Sequence, residues 1–169
     1  MREISAKMIT EKVKEACIQA NCKLPCDVLA AFEKGRKEEK SPLGCQIFDR
    51  MIENADLAAR KEVPVCQDTG MAVIFAEIGQ DAHIVDGDFE TAVNEGVRRG
   101  YIDGYLRLSV VGDPMRRVNT NDNTPAIIHT TIVPGDQVHI VVAPKGFGSE
   151  NMSAIKMFTP SATRDDVVN

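Results

Sequence analysis

Through its first sixty residues this chain keeps the hydrophobic period of helices, and after residue 70 the period shortens to that of strands. Ile9, Val13, Ala16, Cys17 and Ala20 recur at helical spacing, with Lys7, Lys12, Lys14 and Glu15 on the wet side. A second helix is expected from residue 26 to about residue 37, with Val28, Leu29 and Phe32 inward and Gly35 near its end. Ser41 and Pro42 open a third, because serine caps a helix well and proline is tolerated at its first position. Its expected core face is Ile47, Phe48, Met51, Ile52 and Ala55, and the charged run at 37–40 reads as a solvated connection. Residues 71–78 then form a short, apolar, β-branched run that Gly79 ends, which predicts a buried strand. Asp88 caps a further helix with Phe89, Ala92, Val93 and Val97 inward, and Gly100 and Gly104 mark its end. Residues 126–133 and 137–143 flank Pro134, Gly135 and Asp136, a hairpin signal. The expectation is one α+β domain over 1–169. Its helical layer, to about residue 62, packs with a mixed and largely antiparallel β part from about 63, with no βαβ alternation.

A formal charge of −5 argues against nucleic acid as the partner, since phosphate binding needs a basic stripe that the chain lacks. The longest apolar runs, near 71–76 and 138–144, fall far short of the ~20 residues of a membrane-spanning helix. The first residues carry no apolar secretory core, so a cytoplasmic, reducing setting is expected. Five cysteines without a repeating spacing do not make a disulfide framework. Cys22 and Cys26 have the gap of half a zinc site, but no second pair follows. Cys17 falls on the helical apolar stripe and, with Cys45, is expected in the core. His83, His129 and His139 have no partner at metal spacing and read as structural or surface groups. Asn119, Asn121, Asp122 and Asn123 lack the pattern of a calcium loop and read as a turn or a polar loop that orients a site.

Chemistry concentrates at residues 64–70, Pro-Val-Cys-Gln-Asp-Thr-Gly, expected on the loop between the third helix and the first long strand. A thiolate there can bind iron or zinc and a carboxylate beside it can move a proton, while Pro64 and Gly70 restrict and then release the backbone. Taken alone, an isolated cysteine is more often a small buried hydrophobe.

PVCQDTG at 64–70, YLRLS at 105–109 with VNTNDNTPA at 118–126, and APKGFGSENMS at 143–153 together resemble the iron-sulfur (class I) fumarases and the related tartrate dehydratases. The likeness is to the N-terminal part of the α subunit of the two-subunit form, and it covers essentially the whole chain. It implies a 4Fe–4S cluster held by three cysteines, whose open iron acts as a Lewis acid on the hydroxyl of a 2-hydroxy diacid. It implies that Cys66 is one cluster ligand and that Gln67 and Asp68 stand at the substrate, with Asp68 able to handle a proton. It also implies that Arg107 grips a substrate carboxylate through paired hydrogen bonds. Without the family, Arg107 reads as a surface arginine at a strand start. Lys145 is a weaker candidate, and Gly148, in a loop where Phe147 replaces the family's middle glycine, matches a substrate-contacting position.

No cysteine follows Cys66, so the resemblance implies that the other two cluster ligands lie in a C-terminal remainder of the α subunit. The 169 residues alone are expected to be an N-terminal piece, cluster-free and inactive. The expected partners are fumarate and malate, the remainder of the α subunit, a β subunit and further copies in an oligomer, with neither nucleic acid nor membrane. The alternatives are a tartrate dehydratase subunit and a non-catalytic module that docks on the β subunit or a partner enzyme. A zinc or thiol-redox module on Cys22 and Cys26 is a third reading.

Overall fold

The computed structural model describes residues 1–148 and 152–168. Its elements are β1 (Arg2–Ser5), α1 (Ala6–Cys22), α2 (Cys26–Glu38), α3 (Pro42–Lys61), β2 (Met71–Gly79), β3 (Ala82–Val85), α4 (Phe89–Asp103), β4 (Ile127–Val133), β5 (Val138–Lys145) and α5 (Arg164–Val168). The α+β class is as expected. Ser41 caps α3, its hydroxyl accepting from Gly44 N, and the Asp88 carboxylate caps α4 by accepting from Thr91 N at 2.8 Å.

The core forms where α1, α4 and the sheet meet. Ile9, Val13 and Cys17 of α1 pack with Val93, Val97 and Tyr101 of α4 and with Ala72 and Ile74 of β2. The two helices lie close because Gly96 has no side chain: a Cβ there would stand 2.7 Å from the Thr10 carbonyl oxygen. On the opposite face of β2, Phe75 is half exposed and stacks on His129 with ring centroids 5.1 Å apart.

The strand pairing corrects two expectations. The 126–133 and 137–143 segments do form strands, but they are not a hairpin: the sheet order is β4-β2-β5, with β2 inserted between them. β2 runs parallel to β4 and antiparallel to β5, so the sheet is mixed rather than largely antiparallel. The cause is burial. Ala72, Ile74 and Ala76 of β2 are 2% exposed or less, and that strand takes the centre, where both edges find ladder partners. Pro134, Gly135 and Asp136 turn the chain around the end of β2 instead, with Asp81 N donating to Gly135 O at 2.8 Å and Gly79 N to Gln137 O at 2.7 Å.

A second, two-stranded parallel sheet pairs β1, in the stretch expected to be helical, with β3, in the connection between the expected strand and the Asp88-capped helix. Each of its strands has four residues, too few for a period to register. The α2–α3 pair is less buried than its periodicity predicted. Val28, Leu29, Phe32 and Phe48 are only half-buried, and Phe32 meets Phe48 at 6.4 Å. Of the expected α3 core face, Ala55 is buried, but Ile47 and Met51 lie open to solvent beside Leu43. Cys45 is half-buried, its thiol directed at the Glu39 carbonyl, whereas Cys17 is fully buried as expected.

Candidate active site

The heptapeptide does lie on the loop between α3 and β2. A left-handed Glu62 ends α3, and two long-range bonds then fix the path: Val65 N donates to Asn21 O at 3.0 Å, and Asn54 Nδ2 donates to Val65 O at 2.8 Å. Cys66 and Gln67 are exposed, and Cys66 is a free thiol. The Asp68 backbone N–H donates to its sulfur at 3.4 Å.

Asp68 is half-buried and uses both carboxylate oxygens. Oδ1 accepts from Gly70 N at 3.1 Å, closing an Asx turn, and Oδ2 accepts from Phe147 N at 3.2 Å, in the loop after β5. The fit there is tight, since a Cβ on Gly146 would stand 2.8 Å from Asp68 Oδ2. Gly70 has φ +58 and lies against the Lys145 carbonyl, so residues 68–70 and 145–147 interlock.

Thr69, 3% exposed, joins the third segment. Its hydroxyl donates to Arg107 O at 3.1 Å, and its carbonyl accepts from the buried Tyr101 hydroxyl at 2.9 Å. Burial pushes the Tyr101 phenol well above its ordinary value, which keeps it a neutral donor. Arg107 lies in an extended loop after α4, not at the start of a strand. Leu106 and Val110 point inward, so Arg107 between them faces solvent by simple alternation. Its guanidinium makes no ion pair or hydrogen bond among the described residues.

Thr69 and Tyr101 carry no signal of their own in the sequence, and Asn123 reads there only as part of a turn or a polar loop that orients a site. Asn123 is fully buried. Its Oδ1 accepts from Ser109 N at 2.7 Å and Val110 N at 3.2 Å, and its Nδ2 donates to Gly70 O at 3.1 Å. With Asn119 Nδ2 donating to Leu108 O at 2.9 Å, the asparagine-rich tract braces the Arg107 loop and is more than a bare turn. One signal was available: asparagine is favoured where backbone φ is positive, as at Asn121 and Asn123.

The three segments thus meet at one end of the sheet. Residues 68–70 and 145–147 are in direct contact, and Thr69 ties the Arg107 backbone beside them. The Arg107 side chain and Gly148 make no hydrogen bond to the other candidates among the described residues, and Gly148 is exposed with open space around it. Ser149, Glu150 and Asn151 of the glycine-rich segment lie outside the described residues. His139 faces Glu77 at 3.8 Å on the open side of the sheet, away from these loops in sequence and register.

As a metal centre the site supplies one thiol. Among the described residues no three His, Cys, Asp or Glu side chains group to hold a metal ion. Burial pushes the Cys17 thiol up to about 12, so it is no thiolate, and Cys22 is buried and likewise raised, first by burial and then by Glu62. A cluster bound through three thiolates does not fit these residues alone, while Cys66 fits one ligand position of such a set. Among the described residues no helix is long and apolar enough to cross a membrane.

Residues 10–169 match the model of the Fumerase family, fumarate hydratase. A protein of Methanocaldococcus jannaschii, provisionally assigned as L(+)-tartrate dehydratase subunit alpha, is 34% identical over 166 residues, which are 95% of this chain and 58% of that protein. The aerobic class I fumarate hydratase of Escherichia coli is 39% identical over 104 residues, 60% of this chain and 19% of the relative. The L(+)-tartrate dehydratase subunit alpha of Escherichia coli is 26% identical over 171 residues, 99% of this chain and 56% of the relative. The chain therefore spans little more than half of the α subunits it matches and about a fifth of the longer fumarase.

Proposed function

The chain belongs to the fumarate hydratase (Fumerase) family, and from that premise we propose that it forms the N-terminal part of a hydro-lyase that adds water reversibly to fumarate to give malate. The observation that carries the reading is the junction at residues 66–70, where the exposed Cys66 sulfur accepts from the Asp68 backbone, the Asp68 carboxylate accepts from Phe147 N, and the Thr69 hydroxyl holds the backbone of the arginine-bearing loop.

In this reading Arg107 receives one carboxylate of the dianion. Its guanidinium is exposed and makes no ion pair among the described residues, and paired charge-assisted hydrogen bonds to a carboxylate are each worth about 1.5–3 kcal/mol. Gln67, exposed in the heptapeptide, can donate through its amide to the substrate's other polar groups. Asp68 is held by two backbone donors, which fixes its oxygens in place at the edge where a proton would move. Lys145 and the open backbone at Gly148 would add positive charge and a bare N–H for the second carboxylate. Cys66 would hold one corner of a 4Fe–4S cluster whose other ligands lie beyond these residues, and a bound cluster supplies Lewis acidity at the hydroxyl group. We further infer association with a second subunit in a reducing cytoplasm, for which the exposed stripe of Leu43, Ile47 and Met51 on α3 offers surface.

Tartrate dehydration is the second reading, favoured because the relatives that match nearly the whole chain are tartrate dehydratase α subunits. The two substrates differ by one hydroxyl. Initial rates on fumarate, malate and tartrate, measured anaerobically on the assembled enzyme, separate them: turnover of fumarate and malate with little of tartrate is expected, and a preference for tartrate reverses the assignment.

A further inference from the structure

We propose that Asn123 is a positioning residue: its buried amide sets where the Arg107 loop stands against residues 66–70, and through that spacing governs the affinity for a small dianion. The inference rests on the reading of the site just given and adds a residue that need touch no substrate.

Two features of Asn123 carry it. First, its side chain is the crosslink. Oδ1 takes the two consecutive amides that follow the arginine, Ser109 N and Val110 N, while Nδ2 reaches Gly70 O across 53 residues of sequence. A carboxylate could accept but not donate, and an aliphatic side chain could do neither, so an amide meets both demands. Its left-handed φ of 60 is one that asparagine tolerates better than most residues. Second, the arginine is held from both sides. Before it, Leu106 N donates to Tyr101 O at 2.9 Å, and after it the Asn123 amide supplies the anchor. The Ser109 side chain adds no anchor of its own, because its hydroxyl is buried and has no hydrogen-bond partner among the described residues. Without Asn123 the Arg107 loop would keep the Thr69 contact and the Asn119 bond to Leu108 O, but would lose its link to Gly70.

Two variants test this. Asn123→Ala removes all three bonds; Asn123→Asp keeps the acceptor for Ser109 N and Val110 N and removes the donor to Gly70. In the 169-residue chain, amide exchange at Ser109 and Val110 is expected to speed up about tenfold in Asn123→Ala, the scale of one lost buried hydrogen bond. It should speed up less in Asn123→Asp, where both acceptor bonds remain although a carboxylate oxygen replaces the donor facing Gly70 O. Val13, Ile74 and Val97 should keep their protection in both. In the assembled enzyme, Asn123→Ala should raise KM for the dicarboxylate about tenfold with a much smaller change in kcat, since uniform binding is what a displaced arginine loses. A uniform loss of protection across α1, α4 and β2, or a wild-type KM with exchange at Ser109 unchanged, overturns the proposal. If Asn123→Ala does not fold, the wild-type chain decides: exchange at Ser109 and Val110 as fast as in an unprotected loop contradicts the crosslink, and strong protection there supports it. If the wild-type enzyme turns over none of fumarate, malate and tartrate, the functional reading falls, and the exchange pattern alone decides the role of Asn123.

Discussion

Replacing Gly70 by alanine should damage both the fold and the site, and by an amount the neighbourhood fixes. The residue has φ +58, which costs a side chain about 1–2 kcal/mol. A Cβ built there would lie 2.0 Å from Lys145 O and 2.2 Å from its carbonyl carbon, and both are backbone atoms that cannot rotate away. Relief requires the Met71–Lys145 end of the β2–β5 pair to part, adding overpacking of about 1–3 kcal/mol. Together about 2–5 kcal/mol is expected, or about 4–20 °C in Tm for a domain of this size. Two other glycines separate the causes. Gly135 also has a positive φ, +104, but a Cβ there meets nothing within 4 Å, so Gly135→Ala should cost only the backbone strain of about 1–2 kcal/mol. Gly148 has neither constraint, and Gly148→Ala should change stability by less than about 0.5 kcal/mol. Urea denaturation of the three variants gives the ranking. If Gly70→Ala proves no worse than Gly135→Ala, the interlock between residues 68–70 and 145–147 is wrong.

Tyr101→Phe should lower stability by about 1–3 kcal/mol, because it leaves the buried Thr69 carbonyl without its donor, and calorimetry would register the loss. Alkaline pH should unfold the chain through Cys17. Its thiol is held protonated up to about 12 in the fold against an ordinary 9.0, so the unfolded chain binds fewer protons in that interval. Stability should therefore be complete below pH 9.0 and fall as pH rises toward 12, by at most about 1.4 kcal/mol per pH unit, and Cys17→Ala should flatten the slope. At mildly alkaline pH, iodoacetamide should label the exposed Cys26 and Cys66 in the native chain and spare Cys17, as peptide mapping would show.

Much of this was legible in the residues. The helices of the first sixty positions, the caps Ser41 and Asp88, the central strand and the loop position of the heptapeptide follow from local period and capping chemistry, which need few long-range contacts. What the period could not carry was pairing. Alternation in the 126–133 and 137–143 segments says that they are strands, not that β2 separates them, and the proline-glycine turn is equally suited to rounding the end of a third strand. An apolar helix face announces something to be covered, not what covers it, so Ile47 and Met51 were misplaced in the core. The same limit explains the site. Cys66, Asp68 and Arg107 carry chemistry that residue type reveals, whereas Thr69, Tyr101 and Asn123 matter through bonds spanning 32 to 53 residues, which only the folded chain displays.

The most direct test of the central claim is a Cys66→Ser exchange in the enzyme assembled with its remaining subunit portions and reconstituted anaerobically with iron and sulfide. The visible absorption of a bound cluster and hydration of fumarate should both disappear, while the far-ultraviolet spectrum of the fold stays unchanged, because Cys66 is exposed and packs against no core residue. Full activity in the serine variant would contradict the placement of the active site at residues 66–70.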